Sequence, residues 1–188
     1  MSGAHSREAE RRGLSGAAWF AICLVVAIAA GLAVRAFVAM PYVVPTGSMR
    51  DTIVEGDMLI GEKVTLAFDD PVQGDIVTFE SPIDGETLIK RVIAVGGQTV
   101  DLVDGAVYVD GEPLDEPYVD GRPSYSLSDL AGSAQISYPY VVPEGTVWVM
   151  GDNRTDSKDS RYFGPVSLDA VTSKALFIYW PLSHVGAL

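Results

Sequence analysis

The sequence predicts a mostly β protein: an N-terminal transmembrane helix followed by an antiparallel β-sheet or barrel domain with a small β-rich insertion. Three observations predict it. One uncharged apolar stretch fills residues 17–34. Beyond Tyr42, runs rich in β-branched and aromatic residues take over, such as Asp75-Ile76-Val77-Thr78-Phe79. Four Asp-Gly pairs, Asp84-Gly85, Asp104-Gly105, Asp110-Gly111 and Asp120-Gly121, punctuate those runs.

Taken in order, residues 1–13 form a short basic arm and 14–36 the membrane anchor. At ~1.5 Å per residue, the roughly 18 apolar residues span about 27 Å, close to the hydrocarbon core of a bilayer. A cleaved secretory signal also opens with basic residues such as Arg7, Arg11 and Arg12. Its apolar region usually stops at about 7–15 residues, so length favours an uncleaved anchor. Arg7, Arg11 and Arg12 precede the helix, whereas Arg35 and Arg50 follow it, which places the arm in the cytoplasm and residues 37–188 outside. The single cysteine, Cys23, lies inside the apolar stretch, which excludes a disulfide framework and a Cys-based zinc site.

Residues 37–188 suffice for one domain with a substantial core. Strands are expected at 75–79, 88–95, 146–150 and 175–180. Val100 to Val103, Asp104-Gly105 and Ala106 to Val109 have the form of a two-residue hairpin. The stretch from about Glu112 to Ser137 is rich in Gly, Pro, Ser and Asp, so 104–143 reads as a hairpin and loop insertion. A formal charge of −12 argues against a nucleic-acid partner and against general adhesion to anionic lipid.

Chemistry is constrained by what is scarce. The two histidines are His5, before the anchor, and His184, near the end, so an imidazole-based metal centre across the membrane is not expected. A Ser-His-Asp triad is disfavoured, although spacing alone leaves His184 open. A serine hydroxyl then needs another base, and a neutral lysine is the available one. Of the four lysines, Lys63, Lys158 and Lys174 have polar or mixed surroundings, whereas Lys90 lies in Leu88-Ile89-Lys90-Arg91-Val92-Ile93-Ala94-Val95. Strand alternation puts Lys90 with Leu88, Val92 and Ala94, and Arg91 with Ile89 and Ile93. Arginine does not deprotonate, whereas a lysine moved into low dielectric loses several units from about 10.4. The plain alternatives remain open here: Lys90 as a strand residue whose amine snorkels to water, and Thr46-Gly47-Ser48 as ordinary turn chemistry.

Four segments occur in order: Pro45-Thr46-Gly47-Ser48-Met49, Gly74-Asp75-Ile76-Val77, Ile89-Lys90-Arg91-Val92, and Gly151-Asp152-Asn153-Arg154 running into Ser157-Lys158-Asp159-Ser160-Arg161-Tyr162-Phe163-Gly164. Together they resemble type I signal peptidases, in order and rough spacing, across the anchor and essentially all of the outer domain. The resemblance implies a membrane-bound serine endopeptidase that removes signal peptides from exported preproteins. In it Ser48 is the nucleophile, Lys90 the base, and the Ser48 N–H with the Thr46 hydroxyl the oxyanion donors. Ser157 would orient the lysine amine. Asp159 and Arg161 would form a bracing ion pair, their side chains on the same side if the segment is extended, with Asp152 as further structural support. Threonine at 46 stands where many members have serine, and Arg50 where many have proline. Arg50 could depress the pKa of Lys90 or point to lipid headgroups.

The resemblance also implies selection for small side chains at the first and third positions before the cut, hence secretory preproteins with Ala-x-Ala sites. Val44, Met49, Ile53 and Ile89 are expected as shallow pocket walls, with ordinary core packing equally open for each. Asp152, Asp156 and Asp159 do not make a calcium loop, because the run lacks the glycine and terminal glutamate and contains Arg154 and Lys158. No metal, cofactor or obligate oligomer is expected. Membrane lipid is a partner through the anchor, and a lysine base resembles the prokaryotic and organellar branch, which points to a bacterial cell membrane. Two other classes stand beside this reading: a related serine-lysine protease that cleaves itself or a regulator, and a membrane-tethered β-domain without activity.

Overall fold

The computed structural model describes residues 15–188, so the expectations for the arm at 1–13, with His5, Arg7, Arg11 and Arg12, lie outside the described residues. Helix α1, Gly16–Phe37, begins where Ser15 accepts the Ala18 N–H through its hydroxyl at 3.2 Å. Arg35 in the last turn and the Lys63 amine, 3.4 Å from the Ala36 carbonyl, answer the open carbonyls at its other end. No residue of α1 is buried, and its mean hydropathy reaches 2.5. Among the described residues it is the one helix long and apolar enough to cross a membrane.

Val38 alone separates α1 from strand β1, Ala39–Val43. The strands that follow are β2 (Met58–Glu62), β3 (Ile76–Glu80), β4 (Thr87–Val95), β5 (Thr99–Val103), β6 (Ala106–Val109), β7 (Glu112–Pro113), β8 (Tyr140–Val141) and β9 (Thr146–Met150). The short helix α2 (Ser160–Phe163), β10 (Val166–Ser167), β11 (Val171–Trp180) and β12 (Gly186–Ala187) complete the chain. The main sheet runs β1-β2-β11-β3-β4-β9-β10, with β12 added to β11, and every pairing is antiparallel. The path is open at β1 and β10, so the domain is a sheet and not a closed barrel. A second sheet, β7-β6-β5-β8, forms the insertion.

Composition explains the strands. The first four residues of β3, Ile-Val-Thr-Phe, are all buried at the middle of the sheet. Asp104 and Gly105 take φ of 51° and 84°, as a two-residue hairpin between Val103 and Ala106 requires. Strands β5 and β6 belong to one sheet, however, so the insertion starts at Thr99, ahead of the expected 104. Alternation on β4 also breaks sooner than expected. A bulge between Val92 and Ala94 sends Ile93 and Ala94 together into the core beneath the second sheet, with Trp148 and Met150, while Val92 packs with Val77 and Phe79.

Candidate active site

The loop between β1 and β2 turns tightly at Gly47 and Ser48, with Arg50 N–H bonded to the Gly47 carbonyl at 3.1 Å and Ile53 N–H to the Met49 carbonyl at 2.9 Å. Met49 and Ile53, both fully buried beside Leu59 and Ile178, pin this turn to the core. A second clamp comes from the segment after β9. The Asn153 side chain donates to the Gly47 carbonyl at 3.0 Å and its N–H to the Ser48 carbonyl at 3.1 Å. Gly151 lets that segment approach, since a Cβ there would collide with the Ser48 carbonyl oxygen and with Ser157 Oγ.

Against this fixed turn, β4 delivers Lys90. Its amine donates to Ser48 Oγ at 2.7 Å and to the Ile89 carbonyl at 2.9 Å. Lys90 is 2 % exposed, so it does not snorkel to water. Burial lowers its pKa to about 8, against a partial upward pull from the Asp159 and Asp152 carboxylates. Near pH 8 about half the amine is therefore neutral, and a neutral amine at this distance can accept the serine proton instead of donating its own.

The neighbouring charges are paired elsewhere. Asp152 receives Arg91 through Nε at 2.9 Å and Nη2 at 2.7 Å, and also the Thr52 hydroxyl at 2.6 Å. Asp159 pairs with Arg161 at 2.8 Å, both buried. Burial pushes the Asp159 carboxyl up, but Arg161 and the Gly151 N–H outweigh it and hold the carboxyl below its ordinary range. The pair is built on the cap of α2, where Asp159 accepts the Arg161 N–H at 3.2 Å, rather than on an extended segment. With arginines facing Asp152 and Asp159, the trio containing Asp156 is not arranged around a cation.

Other expected site residues are placed as follows. Thr46 is exposed on the rim of an open depression of about 470 Å³ that contains Ser48 and Lys90, together with Glu55, Asp156 and Lys158. Val44 and Ile89 line an adjoining cavity of about 110 Å³ with Tyr42 and Thr78. Met49 and Ile53 face the core instead and border neither hollow. Ser157 Oγ is buried and makes no hydrogen bond of ordinary geometry, so the expected bond to Lys90 is not formed; it lies near enough to Asp159 to help hold that carboxyl low. Arg50 is no free cation beside Lys90, because Glu55 takes it at 2.6 Å and 2.8 Å. His184 bonds Asp57 at 3.1 Å and does not line the depression that holds Ser48. Sequence reasoning assigned no role to Asn153, though it stood inside a quoted segment.

A family model described as signal peptidase, peptidase S26 matches residues 17–180. The chain is 41% identical over 173 residues to the probable signal peptidase I-1 of Synechocystis, covering 88% of this chain and 83% of that protein. To the signal peptidase I of Leptolyngbya laminosa it is 34% identical over 165 residues, covering 84% and 76% respectively. A crystal structure of a signal peptidase I from Enterococcus faecalis aligns with a TM-score of 0.47 and 34% identity, over 56% of this chain and 97% of that one.

Proposed function

Because this chain belongs to the signal peptidase family, peptidase S26, we propose that it is a membrane-bound endopeptidase removing N-terminal signal peptides from exported preproteins through a Ser48/Lys90 dyad. The observation that carries the reading is the 2.7 Å contact between Ser48 Oγ and a buried lysine amine. Ser48 attacks the scissile carbonyl as its proton passes to Lys90. The resulting ammonium protonates the leaving amine as the peptide bond breaks, leaving an acyl-enzyme. Lys90 then takes a proton from the water that hydrolyses the ester, and Ser48 regains one. The Ser48 N–H and the Thr46 hydroxyl serve the oxyanion. The buried Ser157 hydroxyl, without a hydrogen bond of ordinary geometry, is available to take the amine when it releases Ser48.

Specificity follows from size and edges. The cavity of about 110 Å³ suits a small side chain at the third position before the cut, and the depression at Ser48 receives the first, favouring Ala-x-Ala sites. β1 is a sheet edge, and residues 87–89 of β4 pair only with β3, so an extended substrate finds unpaired backbone on both walls of the cavity. Helix α1 anchors the chain once in a bacterial cell membrane, with the N-terminus cytoplasmic and the β-domain outside. Val43 and Trp180, exposed to either side of Met58, put apolar surface at the same sheet end for contact with lipid. The enzyme works without an obligate oligomer.

The test is cleavage of an Ala-x-Ala preprotein in detergent by the full chain and by Ser48→Ala. Processing by wild type alone, with loss when leucine replaces the alanine at the third position, is expected. An inert wild type would make the tethered non-enzyme the better reading, and cleavage only of itself the self-processing one.

A further inference from the structure

The insertion reaches back to the strand that carries Lys90. Pro117–Val119 forms a single turn that lays the Tyr118 ring against Arg91, whose guanidinium carbon sits 4.0 Å from the ring centroid. Arg91 is therefore held from two sides, by Asp152 on one and by an aromatic face on the other. The Tyr118 hydroxyl donates to Glu116 at 3.0 Å. Glu116 in turn takes both terminal nitrogens of the buried Arg154, one at 2.8 Å, and Ser124 takes Arg154 Nη1 at 2.6 Å. Arg154 Nε closes the circuit on the Gly151 carbonyl at 3.1 Å. The insertion thus clasps β4 through Arg91 and, through Arg154, the 151–154 segment that clamps the Ser48 turn.

We propose that Tyr118, seated by Glu116, is a positioning residue for the reaction: its ring keeps water from the Arg91–Asp152 pair and so fixes the setting of Lys90, the neighbouring residue. This rests on the reading of Lys90 as the base. The charges packed around Lys90 are Asp152 and Asp159, each answered by an arginine, together with Glu55, Asp156 and Lys158 around the depression. Arg91 offsets the Asp152 charge that Lys90 feels. If Tyr118 is removed, solvent loosens that pair, and Lys90 meets a less compensated carboxylate. That change favours the ammonium form and moves its titration upward.

The experiment titrates the Lys90 side-chain nitrogen by NMR in the full-length protein labelled with ¹⁵N-lysine, assigned by Lys90→Met, with cleavage of the Ala-x-Ala preprotein followed in parallel. Tyr118→Leu is expected to raise the Lys90 midpoint by about half to one unit and to lower kcat at pH 7.5 by about three- to tenfold, with KM little changed. Tyr118→Phe, which keeps the ring over Arg91, is expected to retain the wild-type midpoint. An unchanged midpoint in a folded Tyr118→Leu overturns the proposal. If Tyr118→Leu does not fold, Tyr118→Met decides: it fills the site without an aromatic face over Arg91 and should raise the midpoint by a smaller amount, and no rise overturns the proposal. A wild type that titrates as described but cleaves nothing would instead count against the proposed function.

Discussion

Arg154 and Arg161 are as deeply buried as Lys90, at 1 %, 1 % and 2 % exposure, yet the chain treats them in opposite ways. Each arginine is met by a carboxylate, Glu116 or Asp159, and by a backbone carbonyl. Lys90 is met only by a hydroxyl and a carbonyl. Where the loop holds its shape, charge is compensated; where the proposed mechanism moves a proton, it is left uncompensated. A buried cation without a counter-ion costs stability, and the same cost brings the amine's titration down to about pH 8.

The sharpest way to break this contrast is Lys90→Met, which keeps the volume and removes the charge. Cleavage should fall by more than about 10³-fold. Stability at pH 7 should rise, by up to about 3 kcal/mol, since the pKa is lowered from 10.5 to about 8. The sign follows from proton binding: between about pH 8 and 10.5 the unfolded chain holds the Lys90 proton that the folded chain has lost, so wild-type stability rises with pH across that window. The penalty is therefore complete below about pH 8, and the variant should lack this slope in denaturant titrations. A variant less stable than wild type at pH 7 would break the comparison.

Asp159→Asn attacks the compensated side and should destabilise by about 3–5 kcal/mol, because it strands the buried Arg161. Wild-type stability from this pair is present above the ordinary carboxylate range and is lost as pH falls through the lowered Asp159 value. A change under about 1 kcal/mol in urea unfolding would show that Arg161 is not held by the pair. Asn153→Ala, which frees the Gly47 carbonyl while leaving the backbone bond to Ser48, should cost about 1 kcal/mol and about tenfold in kcat. Intact kcat would mean the turn holds itself. Arg50→Ala should have the smallest effect, a rate within about twofold, since Glu55 already occupies Arg50 at the surface; a shifted pH–rate curve would contradict that.

The residues differ in how legible they were. Strand β9 was read at its observed ends, Thr146–Met150, because Val, Trp, Val and Met leave few other readings. Asp104-Gly105 announced its turn for the same local reason. Strands β1 and β2, Ala-Met-Pro-Tyr-Val and Met-Leu-Ile-Gly-Glu, carry a proline and a glycine and owe their form to pairing with each other and with β11. At the site, motifs brought Ser48 and Lys90 together, but bonds that depend on packing were beyond them. The capping geometry of Asp159, the capture of Arg50 by Glu55, the burial of Met49 and Ile53, and the Tyr118 contact each need a neighbour far away in the sequence or a turn whose form spacing does not specify.

The most direct test of the central claim is the rate at which a serine-directed acylating reagent modifies Ser48, read by intact mass as pH is stepped from 6 to 10. An uncompensated lysine base predicts a rate that rises with a midpoint near pH 8 and a loss of that rise in Lys90→Met. A midpoint near the ordinary lysine value of about 10.4, or the same curve in Lys90→Met, would contradict it.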